Sequence, residues 1–242
     1  MNILAESWKT YVTNIRLVLL FSIPFIISFL ILLLAPLPAY TTSGGIFIRT
    51  GGLFINANLV TIGVIIIASF FSLLFLAFSI VAVSMIVKTE KTHTAIPSKV
   101  LHETERYTGR VFIMLLFYLF LVTIASIAGY YLGMQALLTG IVGFFAFLLL
   151  FYGMPAVIID NKRIGIAMRH SVSQIAKQPQ YFVLWLFLII IVVTALDFLF
   201  IHLFASIYAE YALLVVNSLL VLPYFVIFET HAYMRRFPIL RR

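Results

Sequence analysis

The residue of this sequence best placed to do chemistry is Asp197, because it lies inside a long apolar segment. An ionisable residue within a membrane span costs about 2.5–3.5 kcal/mol on insertion scales and marks a functional site by default. If the next turn is centred near Ile207, Asn217 lies as far beyond that turn as Asp197 lies before it. With a rise of about 1.5 Å per residue, both side chains are then about 15 Å deep on facing helices. Thr194 lies one helical turn before Asp197.

This intramembrane set has two interpretations. In the first, Asp197 and Asn217 bind a cation or relay a proton, as in a small transporter or channel. In the second, a protonated Asp197 donates a hydrogen bond to Asn217 and holds two helices together, an interaction worth roughly 0.6–2 kcal/mol. A single acidic residue with no basic counterpart in its segment does not decide between them.

A second set of polar residues falls where apolar segments end on the more basic side of the predicted membrane. A lipid-modifying enzyme using this rim would need Asp160, Glu229, His170 and His231 to lie within a few ångströms of one another. The simpler expectation is a salt bridge between Glu229 or His231 and Arg235, which follows shortly after them. The residues assigned to the rim are Asp160, Arg163, Arg169, Ser171, Glu229 and Arg235.

The motifs of known catalytic sites are missing from the sequence. It contains no HExxH, no GxSxG and no Walker loop, and its five His residues are dispersed. It contains no Cys, so it has no disulfide and no thiolate metal ligand. We therefore expect a protein that is not an enzyme and that holds no metal and no cofactor.

Six long apolar segments must position these residues. The chain of 242 residues is 64% hydrophobic and only 10% charged, whereas soluble domains carry about 25% charged residues. Each segment can cross a hydrocarbon core of about 30 Å, where helices satisfy their own backbone hydrogen bonds. The sequence therefore predicts one all-α integral membrane domain over residues 1–242. The predicted spans are roughly 17–37, 59–87, 111–132, 136–159, 181–204 and 211–233.

The basic residues indicate how these spans are oriented. Fifteen of the sixteen Lys and Arg residues fall in alternate gaps between the spans, and Arg49 is the exception. Cytoplasmic loops collect Lys and Arg, which predicts a multi-pass protein of the cell membrane with both termini in the cytoplasm. The net charge of +8 does not indicate nucleic acid, since the charges lie near span ends, where anionic lipid headgroups attract them.

The gaps on the basic side have helical rather than loose patterns. Amphipathic helices are predicted at residues 1–16, 96–110 and 162–178, lying in the headgroup plane with Lys and Arg toward lipid phosphates. Each precedes a transmembrane hairpin, so a unit of interfacial helix plus hairpin repeats three times. This is a parallel repeat that depends on hydropathy and element order. Aligning the copies brings Ser7, Glu103 and Ser173 into register.

Two finer features are predicted at either side of the membrane. On the basic side, Asp160 or Asn161 caps the third interfacial helix, whose apolar face includes Val172. On the other side, residues 38–58 form the only sizeable outer loop, and its alternation around Gly51-Gly52 predicts a short hairpin. The segment Gly129-Tyr-Tyr-Leu-Gly133 permits a tight turn or, less specifically, a dimer face.

A family resemblance is carried by the segment from Tyr152 to Ser171. Here Pro155 near the end of the fourth span precedes an apolar run and Asp160, and an amphipathic helix then carries Ala167 and Ser171. This pattern and the six-span layout resemble the membrane domain associated with glycerophosphoryl diester phosphodiesterases and related archaeal and bacterial membrane proteins. The resemblance implies a six-helix fold. It implies no activity, because the phosphodiesterase chemistry of that family resides in a separate soluble domain.

The sequence predicts a non-enzymatic integral membrane module that binds lipid or a partner membrane protein at a basic cytoplasmic face. The expected partners are membrane lipids, anionic by charge complementarity, or a membrane protein, including a second copy of the chain. A small transporter or channel that uses Asp197 and Asn217 is the alternative.

Overall fold

A computed structural model describes residues 2–34, 39–42, 45–48, 59–92, 96–204 and 206–235 of the chain. Ten α-helices and one two-stranded hairpin occur in these ranges. The helices are α1 (Ile3–Thr13), α2 (Ile15–Leu34), α3 (Leu59–Thr92), α4 (Ile96–Tyr131), α5 (Gln135–Phe151), α6 (Gly153–Asp160), α7 (Ile164–Lys177), α8 (Pro179–Leu203), α9 (Ser206–Val216) and α10 (Leu222–Met234). A π-helical turn, Asn217–Val221, joins α9 to α10.

Six of the described helical segments are long and apolar enough to cross a membrane, which confirms the all-α membrane fold. The hydrocarbon core of a bilayer is about 30 Å thick, and the shortest of the six segments has 19 residues. Between 0% and 56% of the most apolar stretch of each segment is buried within the protein, as expected when lipid covers the outer faces of a bundle. The segments are Ile15–Leu33, Leu59–Lys91, Glu103–Tyr131, Gln135–Asp160, Pro179–Leu203 and Tyr208–Met234.

The first four spans pack in chain order, α2 against α3, α3 against α4, and α4 against α5. The sixth span closes the bundle, because α10 packs against α3 and the π-helical turn packs against α2. The fifth span, α8, contacts mainly the sixth span and is otherwise exposed along its length. Helix α1 packs on α10, so the two described ends of the chain meet at the same end of the bundle.

We call this end the basic end, and define it by residues 2–16, 85–92, 96–110, 155–181 and 229–235. Helix α1 presents Ile3, Ser7, Thr10 and Tyr11 to the bundle at positions i, i+4, i+7 and i+8, and all four are buried. This spacing places them on one helical face. The hydroxyl of Thr10 bonds to Nε2 of His231 at 3.0 Å, which ties the first helix to the last.

The three interfacial helices are not equivalent. Helices α1 and α7 are separate elements, but residues 96–110 continue without a break into the third span as part of α4. The 36 residues of α4 extend roughly 54 Å at about 1.5 Å per residue. The prediction of a separate second helix was wrong, because no Pro follows Pro97 in residues 96–131 and the helix continues through Gly109 at the junction. The second copy of the predicted repeat therefore has no separate interfacial helix before its transmembrane hairpin.

A two-stranded hairpin lies within the first half of residues 38–58. Strand β1 (Ala39–Thr42) pairs antiparallel with β2 (Gly45–Ile48), with Thr42 opposite Gly45. The predicted hairpin turn at Gly51-Gly52 lies outside the described residues.

The turn between the third and fourth spans explains the Gly129 and Gly133 spacing. The N–H of Met134 donates to the carbonyl of Gly129 at 2.8 Å, and Gly133 has a positive φ of 67°. A Cβ on Gly129 would lie 2.7 Å from the Cα of Gln135. Both glycines are thus required by the turn itself, in agreement with the first of the two predicted roles.

Candidate functional site at the basic end

The fourth span is interrupted where the amphipathic helix α7 packs against it. Helix α5 ends at Phe151 and α6 begins at Gly153. The N–H of Tyr152 donates to Ser171 Oγ at 2.9 Å, and that hydroxyl donates to the carbonyl of Leu148 at 2.6 Å. In a continuous helix, the N–H of Tyr152 would bond the Leu148 carbonyl directly. The hydroxyl of Ser171 is therefore inserted into the helical ladder, which is a known cause of helix bending.

Proline and small residues complete this interruption. Pro155 has no N–H to donate to the carbonyl four residues earlier, which belongs to Phe151. Gly153 lets α7 approach closely, since a Cβ there would lie 2.8 Å from Met114 Cε and 3.7 Å from the Ala167 carbonyl. The expected close approach of Ala167 and Ser171 is observed, and both residues are fully buried. The hydrogen bonds of Ser171 had no signal in the sequence.

Asn161 ends α6 rather than starting α7. It has a left-handed conformation with φ of 54°, and the N–H of Lys162 donates to the Ala156 carbonyl at 3.3 Å. Asn tolerates this conformation better than most residues, and its Oδ1 accepts a hydrogen bond of 2.6 Å from Arg110. The predicted capping of α7 by Asp160 or Asn161 was wrong. The residue at that cap is Arg163, and its side chain makes no capping bond.

Asp160 instead closes a network with the last helix. The hydroxyl of Tyr233 donates to Asp160 Oδ2 at 2.6 Å. Lys162 Nζ is 2.9 Å from the same carboxylate oxygen and 3.4 Å from the Tyr233 hydroxyl. The ring of Tyr233 is fully buried and contacts the rings of Tyr152 and His170. Asp160 thus joins the end of the fourth span to the end of the sixth.

Arg235 pairs with the first helix and not with Glu229. Its Nη2 is 3.9 Å from Glu6 Oε1, and Lys91 Nζ is 3.9 Å from Glu6 Oε2. Arg235 also donates to the Tyr181 hydroxyl at 3.1 Å. The predicted rim salt bridge between Arg235 and Glu229 or His231 was therefore wrong. The reason is tertiary, because α1 folds back across the end of α10 and places Glu6 beside Arg235.

The charged side chains at the basic end differ in how exposed they are and in whether they are paired. Five half-buried basic side chains each bond a polar or acidic partner, namely Lys88 to Glu103, Lys91 and Arg235 to Glu6, Arg110 to Asn161 and Lys162 to Asp160. Glu90 accepts a hydrogen bond from Asn14. Within the described part of this end, Glu105 is the only exposed acidic residue. The exposed basic residues are Lys9, Arg16, Arg106, Arg163, Arg169 and Lys177.

Glu229 is the most deeply buried acidic residue of this end, with 7% of its surface exposed. None of the described residues donates a hydrogen bond to Glu229 or forms an ion pair with it. The Tyr152 side chain is fully buried, and its hydroxyl also has no hydrogen-bond partner among the described residues.

The four residues of the enzyme hypothesis are divided between two faces of α10. Asp160 and His170 contact Tyr233, whereas His231 bonds Thr10 on the α1 side. Three or more His, Asp or Glu residues grouped as a metal site do not occur within the described ranges.

The intramembrane set lies on the other half of the bundle. Asp197 is half-buried and Thr194 is exposed on α8, while Asn217 is buried at the first residue of the π-helical turn. Pro223 follows the turn by two residues and would clash with the carbonyl four residues before it in a regular helix. The turn therefore has an identifiable cause in the sequence.

The fold and these contacts define the class of protein as a polytopic helical membrane protein with an amphipathic helix docked into a broken span. No protein-family model, no curated protein and no solved structure matches the chain.

Proposed function

We propose that this protein is a non-enzymatic membrane module that binds anionic lipid at its basic end, which faces the cytoplasm. The proposal rests on one observation, which is that basic side chains at this end are more exposed than acidic side chains. Glu6, Glu90, Glu103 and Asp160 at this end are half-buried and bonded, whereas six basic side chains are exposed, with Glu105 as their only exposed acidic neighbour in the described ranges. Such a surface attracts phosphate headgroups.

Helix α7 is the best-defined part of that surface. Its exposed side includes the basic residues Arg169 and Lys177 together with the apolar residues Ile166 and Val172. Val172, which its spacing assigns to the apolar face of this helix, is 44% exposed. An exposed face that mixes basic and apolar side chains suits a helix at the headgroup boundary, where the apolar groups reach the acyl chains. Trp8 of α1 is 59% exposed and is of the residue type enriched at membrane interfaces.

Neutralising the basic side chains of α7 tests the lipid preference. In the triple variant Arg163→Gln, Arg169→Gln, Lys177→Gln, we expect the preference for phosphatidylglycerol over phosphatidylcholine to fall by roughly a hundredfold. This corresponds to about 1 kcal/mol for each basic residue near an anionic surface. Electron spin resonance of spin-labelled lipids in reconstituted membranes measures the relative association constants.

The matched control keeps the charges and changes the side chains. The triple variant Arg163→Lys, Arg169→Lys, Lys177→Arg should retain the lipid preference. The attraction to an anionic membrane surface depends on the number of positive charges more than on the shape of the side chains that bear them. An unchanged preference in the neutralised variant would overturn the proposal. If crosslinking in native membranes instead captured an acidic membrane protein on α7, a protein partner would replace the lipid.

A second candidate, a small transporter or channel, is favoured by the π-helical turn that begins at Asn217. Turns of this kind are frequent at functional sites, and here the turn packs against the first span. If Asp197 lies on a pathway, cation flux into proteoliposomes should be present in the natural protein and fall at least about tenfold in Asp197→Asn, which removes the charge. Phe198→Leu, an exposed apolar change on the same helix, is the control. The absence of flux of any tested cation would reject this candidate.

A further inference from the structure

We infer that the exposed face of α8 is a contact surface between two copies of this chain in the membrane. The inference concerns the fifth span and is independent of lipid binding at the basic end. No residue in the most apolar stretch of α8 is buried, whereas 28–56% of that stretch is buried in the other five described spans. Exposure alone would equally suit lipid, and the polar residues on this face decide between the two.

Helix α8 packs on the bundle through one face and leaves another exposed. Trp185 contacts the rings of Phe147 and Phe151. It also donates to the carbonyl of Phe225 at 3.3 Å. The exposed residues on the other side follow at i, i+4, i+7, i+11, i+15 and i+18, a spacing that keeps them on one helical face. We call this face the α8 seam, and its members are Val183, Phe187, Ile190, Thr194, Phe198 and Ile201.

A polar residue, Thr194, lies near the middle of the α8 seam. Its side chain is exposed, and its hydroxyl has no hydrogen-bond partner among the described residues. The half-buried Asp197 follows three residues later, at the edge of the same face. A hydroxyl in hydrocarbon has no water to bond, so it costs free energy unless another protein segment offers a partner. Acyl chains offer none, whereas a second helix with a polar group at the same depth does.

A second copy of the chain supplies that polar group at the required depth. Copies inserted with the same orientation meet in a parallel, two-fold symmetric contact, in which each residue lies level with its own equivalent. Thr194 of one copy is then one helical turn, roughly 4.5 Å along the axis, from Asp197 of the other. A carboxylate has about four acceptor positions, so Asp197 can accept this bond in addition to its contacts within the chain. The symmetry forms the bond twice.

Disulfide crosslinking tests the α8 seam, because the natural chain contains no Cys. Ile190→Cys places one thiol on the seam, and Leu199→Cys places one off the seam at a similarly exposed position of α8. After oxidation in cell membranes, Ile190→Cys should give a crosslinked dimer, since a disulfide needs Cα atoms about 4.4–6.8 Å apart. Leu199→Cys should stay monomeric. Equal crosslinking at the two positions, or a crosslink from Ile190→Cys only to a different protein, would overturn the inference.

The dissociation constant of the dimer in liposomes tests the polar pair, measured by single-molecule photobleaching of the labelled full-length protein at several densities. Thr194→Val should raise this constant by roughly tenfold, because the symmetric contact loses two interhelical hydrogen bonds. Thr194→Ser keeps the hydroxyl and should dimerise like the natural protein. Thr123→Val makes the same change at an exposed position of α4 and should also dimerise normally.

Two results of this measurement would contradict the inference. One is a natural protein that remains monomeric at every density. The other is a Thr194→Val variant that dimerises as tightly as Thr123→Val, since the seam would then not depend on its hydroxyl.

Discussion

Replacing Ser171 by Ala should destabilise this protein more than any other single-atom change at the basic end. The Ser171 hydroxyl accepts from the Tyr152 N–H and donates to the Leu148 carbonyl, and the side chain is fully buried. Loss of the hydroxyl leaves both backbone groups without that partner, at about 1–3 kcal/mol for each buried group. We expect the free energy of unfolding to fall by about 2 kcal/mol or more, measured by denaturant titration in mixed micelles.

The chain offers a control on the same helix. Ser173 lies two residues away on the exposed side of α7, so Ser173→Ala makes the same chemical change without removing these buried bonds. Surface substitutions of this kind usually remain within about 0.5 kcal/mol of the parent. If the two variants were equally stable, Tyr152 and Leu148 would have re-formed a direct helical bond, and the inserted hydroxyl would not stabilise the break.

The second large effect is expected at the turn between α4 and α5. In Gly129→Ala the new Cβ would lie 2.7 Å from the Cα of Gln135, and backbone rather than a flexible side chain must move. Inserting a methyl group into such a contact typically costs about 1–3 kcal/mol. We expect a loss of that size in the free energy of unfolding, measured by the same titration.

Gly140 is the matched glycine for this experiment. It lies within α5, and a Cβ there would have no atom within 4 Å. Ala is favoured over Gly in a helix by roughly 0.5–1 kcal/mol, so Gly140→Ala should leave stability unchanged or raise it. Opposite signs for the two Gly→Ala changes are the expected result. A Gly129→Ala variant as stable as the parent would show that the turn can open.

The spans were predictable because hydropathy is a local property. Each of the six described segments overlaps its predicted span, and the small residues Ala167 and Ser171 were expected where α7 approaches the bundle. Pro155 likewise marked the break in the fourth span, because proline removes a helical hydrogen bond wherever it stands. These features depend on residues within one segment, so the sequence contains the necessary information.

The partners of polar side chains were not predictable in this way. Arg235 is six residues from Glu229, yet it pairs with Glu6 from the other end of the chain. Similarly, the hydroxyl of Ser171 reaches the backbone of a different helix. Such contacts depend on how helices are ordered and rotated in the bundle, and neighbouring positions in sequence carry no record of that arrangement.

By itself, the sequence determined six spans, an excess of basic residues at one end and the position of the helix break, because these follow from hydropathy, charge counts and proline. Only the tertiary structure decided which charges are bonded and which are exposed. It also left Glu229 buried, while Arg235 and Lys162 pair with other carboxylates. The physical reason is that each ion pair depends on distance in space, whereas spans depend on composition along the chain.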